Sequence, residues 1–150
     1  MPFNKGYNDG AGNPPNPEGI ATDYLWKLIL KKKSITNIIE NYAQVVEEKD
    51  DKGRKRYKQI FPRYHQLDVV RELLADIPES DLGKRYLIQH SAGSGKSNSI
   101  AWLAHQLVGL KKAGKELFDS VVVVTDRRIL DKQIRDTIKQ FAQVSAIVGH

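Results

Sequence analysis

The sequence predicts an α/β fold in which helices alternate with the strands of a parallel sheet. Residues 86–88 are a short apolar run of strand formers, and residues 120–125, SVVVVT, are an almost continuous β-branched run. A run without polar alternation is typical of a strand buried on both faces of a parallel sheet. Helical patterns follow both runs, and residues 144–148 indicate a third strand. This order predicts part of a doubly wound parallel sheet with right-handed crossovers.

Composition sets the broad class of the protein. The chain has 150 residues, of which 40% are hydrophobic and 28% charged, and its formal net charge is +6. A basic balance permits an anionic partner such as nucleic acid. The chain has no cysteine, no long apolar run and no signal-peptide pattern. We therefore expect a cytoplasmic protein that does not enter a membrane.

The chain divides into three regions. Residues 1–19 are rich in Gly, Pro and Asn, which predicts a linker or extended arm, with a disordered terminus as the alternative. Residues 20–62 predict two short helices and a β-hairpin, whose turn falls at residues 50–53. Residues 63–150 carry the parallel-sheet pattern, with amphipathic helices after residue 63 and after residue 96. The sheet region is thus preceded by a small helical and hairpin segment.

Two features of the hairpin have a functional and a structural interpretation. Residues 54–61, RKRYKQIF, are a basic strand that either contacts phosphates or is an exposed edge protected by lysines. Residues 47–49 contain E-x-K, which metal-dependent nucleases use to hold Mg²⁺. Such a centre also needs an upstream aspartate on a strand, and Asp23 stands at a predicted helix start. The sequence therefore disfavours a nuclease centre here.

The loop between the first strand and its helix has the composition of a phosphate-binding loop. Gly93–Ser97, GSGKS, precedes a helical pattern, so small residues and a helix N-terminus can converge on one anion. Lys96 is placed to reach the outer phosphates, and the Ser97 hydroxyl is the predicted Mg²⁺ ligand. His90 occupies the first Gly position of the pattern; a hydrogen-bonded histidine at a strand end is its structural interpretation. An ordinary Gly/Ser loop is the alternative for the whole segment.

A second candidate element lies at the start of the preceding helix. Arg63 and Gln66 stand three residues apart, about thirty residues before the phosphate loop. A glutamine amide offers one acceptor and one donor edge, which can pair with N6 and N7 of adenine. A glutamine that only caps its helix is the structural alternative.

The loops that follow the first two strands share one edge of the predicted sheet. Ligands of such sheets bind at the carboxyl ends of the strands, where both loops lie. The second loop contains Thr125, Asp126, Arg127 and Arg128. Arg127 and Arg128 are candidates for contacts to DNA phosphates, which position a duplex without reading its sequence.

Three segments together resemble a known family: PRYHQ, HSAGSGKSNSIAWLAHQL and VVVVTDRRILDKQI. In this order they look like the motor and endonuclease (R) subunit of type I restriction–modification enzymes, which is similar to superfamily-two helicases. The resemblance implies a RecA-like P-loop ATPase lobe that begins at residue 63, ATP and Mg²⁺ as cofactors, and translocation on double-stranded DNA. It also implies modification and specificity subunits as partners. The implied nucleotide-binding residues are Arg63, Gln66, Gly93, Ser94, Gly95, Lys96 and Ser97.

The resemblance also implies elements that the chain lacks. The family's nuclease residues would lie upstream, and its D-E-x-x box, which holds Mg²⁺, would lie on a later strand. No Asp-Glu pair follows Ser97, so we expect the chain to be a truncated part of a larger motor that is itself inactive as an enzyme. The alternatives are a non-catalytic nucleotide- or DNA-binding remnant, and a different P-loop phosphotransferase or GTPase.

Overall fold

A computed structural model of the protein describes residues 15–80, 83–126, 132 and 134–141. A π-helical turn at Leu25–Ile29 comes first, and residues 134–141 are helical. Between them lie α1 (Lys32–Asn41), β1 (Gln44–Lys49), β2 (Lys55–Ile60), α2 (Tyr64–Asp76), α3 (Lys96–Val108), β3 (Lys111–Lys112) and β4 (Lys115–Glu116). The predicted strand at 144–148, most of the predicted linker, and the candidate residues Arg127 and Arg128 lie outside the described residues.

The first predicted helix forms as one wide turn. The Leu30 N–H donates to Leu25 O at 2.7 Å, five residues back, which closes a π-type ring. Asp23 is buried and pairs with Lys27 and with the Asn16 side chain, at 2.8 Å for the latter. The next helix, α1, begins at Lys32. The prediction of a helix after Asp23 is therefore confirmed, but the helix is a π-helical turn.

The hairpin prediction is confirmed. β1 and β2 pair antiparallel with Gln44 opposite Ile60 and Lys49 opposite Lys55. Asp50 Oδ1 accepts from the Lys52 and Arg54 N–H groups at 2.9 Å each, which is why an aspartate stands at the turn. The Arg54 N–H also holds the pKa of the Asp50 carboxyl below its ordinary value.

The basic charges of β2 are paired across the hairpin. Lys55 lies 3.1 Å from Glu47, and Lys58 lies 3.8 Å from Glu48. Arg56 lies 3.7 Å from Asp50. Exposed ion pairs stabilise little, but they cancel the local charge that a phosphate contact would need. The pairing favours the edge-strand interpretation and also occupies the E-x-K carboxylates; no metal-binding group of three or more acidic or histidine side chains occurs in the described residues.

One hydrophobic core joins the N-terminal segment to the helices around the candidate loop. Trp102 of α3 is its centre: its ring lies 5.9 Å from that of Tyr42 and 5.6 Å from that of Phe141. The Trp102 Nε1–H donates to Tyr42 O at 3.0 Å, so the buried indole has a partner. The core consists of Ile38, Tyr42, Val46, Leu67, Val70, Ala101, Trp102 and Phe141. Residues on both sides of residue 63 therefore pack together, while the domain boundaries stay a prediction.

Arg71 fastens α2 to α1 on the edge of this core. Its guanidinium donates to Asn37 Oδ1 at 2.8 Å and to Ser34 O at 3.2 Å. It also lies over the Tyr42 ring, 5.9 Å from the centroid. These contacts fix the start of α1 against the middle of α2.

Two segments predicted as parallel strands, residues 86–88 and 120–125, have no ladder partner among the described residues. Within the described ranges, the ladders are the two antiparallel hairpins, β1–β2 and β3–β4. The apolar side chains of the unpaired segments are exposed, with 94% of Leu87, 81% of Val122 and 87% of Val124 accessible. The parallel sheet and the α/β class thus stay predictions. No helix in the described part of the chain has the length and apolar character to cross a membrane.

Candidate phosphate-binding loop

Two glycines with left-handed backbone shape the loop that leads into α3. Gly93 has φ 73° and Gly95 has φ 82°, a region that side chains with a Cβ rarely adopt. Gly95 is the N-cap of α3, and its carbonyl accepts from the Asn98 and Ser99 N–H groups at 3.0 and 3.3 Å. The first N–H groups of a helix have no acceptor within it, and here they face the loop. The predicted strand is absent from the described ladders, but the predicted loop and helix start are present.

The departure from the phosphate-loop pattern at His90 has a backbone explanation. Among the described residues, Ala113 is the one non-glycine residue with a positive φ. His90 therefore has an ordinary backbone, and its position does not require glycine. The two positions that do require glycine, Gly93 and Gly95, have it.

The Ser94 hydroxyl is a buried polar group without a hydrogen-bond partner among the described residues. Ser94 is 9% exposed, and its Oγ makes no hydrogen bond with the described part of the chain. Buried hydroxyls are normally hydrogen-bonded, so an orphan in such a loop fits a ligand that accepts or donates there. The loop thus contains a feature suited to an anion.

Lys96 is folded back onto the loop. Its Nζ donates to Ser91 O at 2.8 Å and to His90 O at 3.3 Å. Both contacts are exposed, so the ammonium group occupies the mouth of the loop. Ser97, the next residue, is partly buried in the first turn of α3.

The side chain of Gln66 hydrogen-bonds the backbone of the loop, a contact that the sequence did not indicate. Its Nε2 group donates to Ser94 O at 3.1 Å and to Gly95 O at 3.0 Å. Its Oε1 accepts from the Arg63 N–H at 2.8 Å. Gln66 is 3% exposed, so these bonds are shielded from water. One side chain therefore ties the start of α2 to the start of α3.

The same geometry limits how Gln66 can contact a base. Both amide hydrogens are used by loop carbonyls, and Oε1 keeps one lone pair. A contact to adenine N7 therefore requires that one loop carbonyl be released. Arg63 stands beside Gln66 as the N-cap of α2.

Asp76 anchors the chain that enters the loop. Its Oδ2 accepts from Lys84 Nζ at 2.5 Å, from Tyr86 Oη at 2.7 Å and from Ser80 Oγ at 2.8 Å. Lys84, followed by the two hydroxyls, lowers the pKa of the Asp76 carboxyl to about 2. Asp76, the last residue of α2, therefore holds Lys84 and Tyr86, which precede the loop.

Two histidines flank the loop on its α2 side. His65 Nε2 lies 3.1 Å from Ser94 O, and the His65 and His90 rings meet edge to face with centroids 5.1 Å apart. Burial, followed by the nearby His65 and Lys96, lowers the pKa of the His90 imidazole from its ordinary 6.5. The hydrogen bond expected for a strand-end histidine is not made by the His90 ring within the described residues.

The second candidate loop is described only in part. Thr125 is partly buried and Asp126 is exposed at the end of the segment 120–126. Arg127 and Arg128 fall outside the described residues. The common rim of the two loops therefore stays a prediction.

The contact between Gln66 and Gly95 gives a stability prediction. A Cβ at Gly95 would lie closer to Gln66 Nε2 than the sum of their van der Waals radii, whereas a Cβ at Gly53 would meet nothing within 4 Å. Both residues have a left-handed backbone, so Gly53→Ala is a matched control for the conformational cost alone, about 1–2 kcal/mol. We expect Gly95→Ala to lower the free energy of unfolding by at least about 1 kcal/mol more, because it also crowds the amide.

Urea unfolding followed by circular dichroism measures both variants. In a Gln66→Ala background the excess cost of Gly95→Ala should vanish, since the group that it crowds is gone. Equal costs for the two glycine variants in the natural background would contradict the bracing role of Gln66.

Comparison with known proteins agrees with this region of the chain. The sequence profile of the SWI2/SNF2 ATPase family matches residues 65–148, more than half of the chain, including Gln66, the whole loop and α3. No curated protein sequence and no solved structure gives a significant match. An ATPase family implies the use of ATP in general, which fits a loop shaped for an anion. The chain belongs to the SWI2/SNF2 ATPase family.

Proposed function

We propose that this chain binds ATP through residues 90–97 and serves as the nucleotide-binding part of a helicase-like DNA translocase. The observation that carries the proposal is the loop itself. Left-handed Gly93 and Gly95 turn the backbone into the N-terminus of α3, and the buried Ser94 hydroxyl lacks a partner within the described residues. Lys96 stands at the mouth of the loop, where it can exchange its carbonyl contacts for β- and γ-phosphates.

Mg²⁺ enters the proposal through Ser97. Mg²⁺ is usually held by one or two protein ligands together with phosphate oxygens and water, so it does not need a cluster of carboxylates. Ser97 lies directly after Lys96 in the first turn of α3, where its hydroxyl is the ligand that the loop offers. When bound, the ion would neutralise charge between the outer phosphates.

Adenine is assigned to Gln66 with Arg63. Gln66 lies at the base of the loop and keeps one acceptor lone pair on Oε1, which fits the N6 amine. Its two donated bonds to the loop make base reading and loop shape depend on the same side chain. The proposal is therefore that adenine is recognised by rearrangement of an existing contact.

The DNA-facing part of the proposal rests on the resemblance to the R subunit of type I restriction enzymes. It assigns Thr125, Asp126, Arg127 and Arg128 to the DNA-facing edge of the lobe, with duplex DNA as the track. It also assigns modification and specificity subunits as partners and the nuclease activity to the complete enzyme. The family match supports an ATPase, and the restriction role is the finer proposal beyond it.

A second candidate function is a module that binds nucleotide without hydrolysing it efficiently. One observation favours it for the chain as it stands: no Asp-Glu pair follows Ser97. Phosphoryl transfer depends on positioned charge around the attacking water and the leaving group. Phosphate binding and rapid turnover are therefore separable properties of this chain.

The phosphate loop is tested first with Lys96→Ala. We expect the affinity for MgATP to fall about 10- to 100-fold, because a charge-assisted contact of about 1.5–3 kcal/mol is lost. Lys112→Ala removes the same charge from the exposed strand β3 and should leave the affinity unchanged. Isothermal titration calorimetry measures both, and equal affinities for Lys96→Ala and the parent chain would remove the phosphate-loop assignment.

Adenine selection is tested with Gln66→Ala. We expect ATP to bind about tenfold more tightly than GTP, a difference worth about one hydrogen bond. Because Gln66 also braces the loop, the variant should weaken both nucleotides, so the readout is the ATP-to-GTP affinity ratio. The ratio should fall to one in Gln66→Ala and persist in Gln106→Ala, which alters a glutamine bonded to Trp102 O. An unchanged ratio in Gln66→Ala would limit this residue to shaping the loop.

DNA binding is tested through its salt dependence. We expect the affinity for duplex DNA to fall steeply with salt, and the logarithmic slope to drop by about 2 in Arg127→Ala/Arg128→Ala. Lys111→Ala/Lys112→Ala removes the same total charge from an exposed hairpin and serves as the control. Fluorescence anisotropy at a series of salt concentrations gives the slopes. If both double variants reduce the slope equally, the contact is spread over the basic surface and the assignment to Arg127 and Arg128 fails.

A further inference from the structure

His90 stands where the phosphate-loop pattern has glycine, yet its backbone does not require glycine. The residue therefore places an imidazole at the entrance of the loop without any conformational cost. Its ring packs edge to face on His65, 5.1 Å between centroids, and makes no hydrogen bond to the described part of the chain. An imidazole that is partly buried and unbonded is free to respond to a new charge.

The titratable side chains that face His90 are basic. From α2 it faces His65, and from α3 it faces Lys96, whose ammonium group bonds the backbone carbonyls of His90 and Ser91. Within the described residues, no carboxylate contributes to the electrostatics of this imidazole. Burial and these neighbours together lower the pKa of His90, which favours the neutral form of the ring in the free protein.

The contact of His65 with Ser94 O fixes which nitrogen of its ring carries the hydrogen. A carbonyl oxygen can only accept, so His65 Nε2, 3.1 Å from Ser94 O, carries the hydrogen. That bond holds His65 against the loop and places its ring beside His90. The His65 ring therefore lies where it helps to lower the pKa of His90.

We propose that His90 is a proton-linked positioning residue of this loop: it takes up a proton when phosphates occupy the loop and holds that charge beside them. This inference rests on the proposed binding of nucleotide at residues 90–97. The physical step is a change of field. A polyphosphate draws Lys96 away from the carbonyls of His90 and Ser91 and places several negative charges near the ring, so the imidazolium becomes the favoured form.

The sign of the pH dependence follows from linkage. A group that binds more protons in the complex than in the free protein makes the complex more stable at low pH. Nucleotide affinity should therefore rise as the pH falls, across the interval between the lowered pKa of free His90 and its raised pKa in the complex. One proton limits the effect to about tenfold in affinity per pH unit.

The test is a proton NMR titration of the full chain, which has four histidines. Each imidazole signal is assigned with a His→Gln variant and followed from pH 5 to 9, alone, with MgATP and with sodium sulfate. Sulfate is the second probe because it does not itself titrate in this range. We expect the midpoint of His90 to rise with either ligand, and that of His105, which bonds Ile138 O, to stay fixed.

Variants separate proton linkage from a merely structural role. His90→Gln and His90→Gly should still bind MgATP, but the affinity should lose its dependence on pH once that of the nucleotide itself is subtracted. His65→Gln should shift the His90 midpoint of the free chain to higher pH, since a competing positive group is removed. Lys96→Ala should raise the ligand concentration needed for the rise about 10- to 100-fold, because the phosphates bind more weakly.

The outcomes distinguish the inference from the function on which it rests. Ligand-induced shifts of the backbone amides of residues 93–97, with a His90 midpoint that does not move, would overturn the inference and leave nucleotide binding intact. No shift of those amides with MgATP would overturn nucleotide binding and the inference together. A rise in the His90 midpoint of the parent chain that needs about 10- to 100-fold more ligand in Lys96→Ala supports both.

Discussion

The candidate site depends on the side-chain amide of Gln66. It spans 28 and 29 positions in sequence to reach Ser94 O and Gly95 O, and it is buried while it does so. An unpaired buried amide is costly, so Gln66 favours the loop shape that supplies its two acceptors. The hydrophobic core then fixes the two helices that carry the partners, through Leu67 on α2 and Trp102 on α3. The position of the candidate loop is thus set by the hydrogen bonds of Gln66 and by the packing of α2 and α3 in the hydrophobic core.

Local signals predicted the local elements well. The turn at residues 50–53 and its flanking strands form the expected hairpin. The apolar spacing after residue 63 predicted α2, which is present. Loop and helix at residues 93–108 follow from the small residues and from the pattern after Lys96. These features are encoded by residues a few positions apart, which is why a single sequence suffices for them.

Contacts between distant residues could not be predicted in the same way. The sequence allows Gln66 either to contact adenine or to cap its helix, and the capping bond to the Arg63 N–H is present. Nothing in the neighbouring residues signals that its amide would also satisfy two loop carbonyls. The edge-to-face pair of His65 and His90 is equally invisible, because the residues are 25 apart and only the folded loop brings them together. For the predicted parallel strands, the composition of the sequence and the observed exposure of the side chains disagree. Their composition demands burial, but Leu87, Val122 and Val124 are exposed because no ladder partner lies beside them in the described ranges.

The loop has two kinds of closing contact, and their energies decide how it opens. Lys96 holds the mouth with two bonds to carbonyls that are open to water, so releasing them exchanges one hydrogen bond for another at little net cost. Gln66 holds the base of the loop with two bonds that are shielded from water, and breaking them would leave the buried Gln66 amide without acceptors. If the loop binds phosphates as proposed, the anion therefore displaces Lys96, whose contacts are the weaker ones. Rearrangement of Gln66 is then a separate step that belongs to adenine recognition.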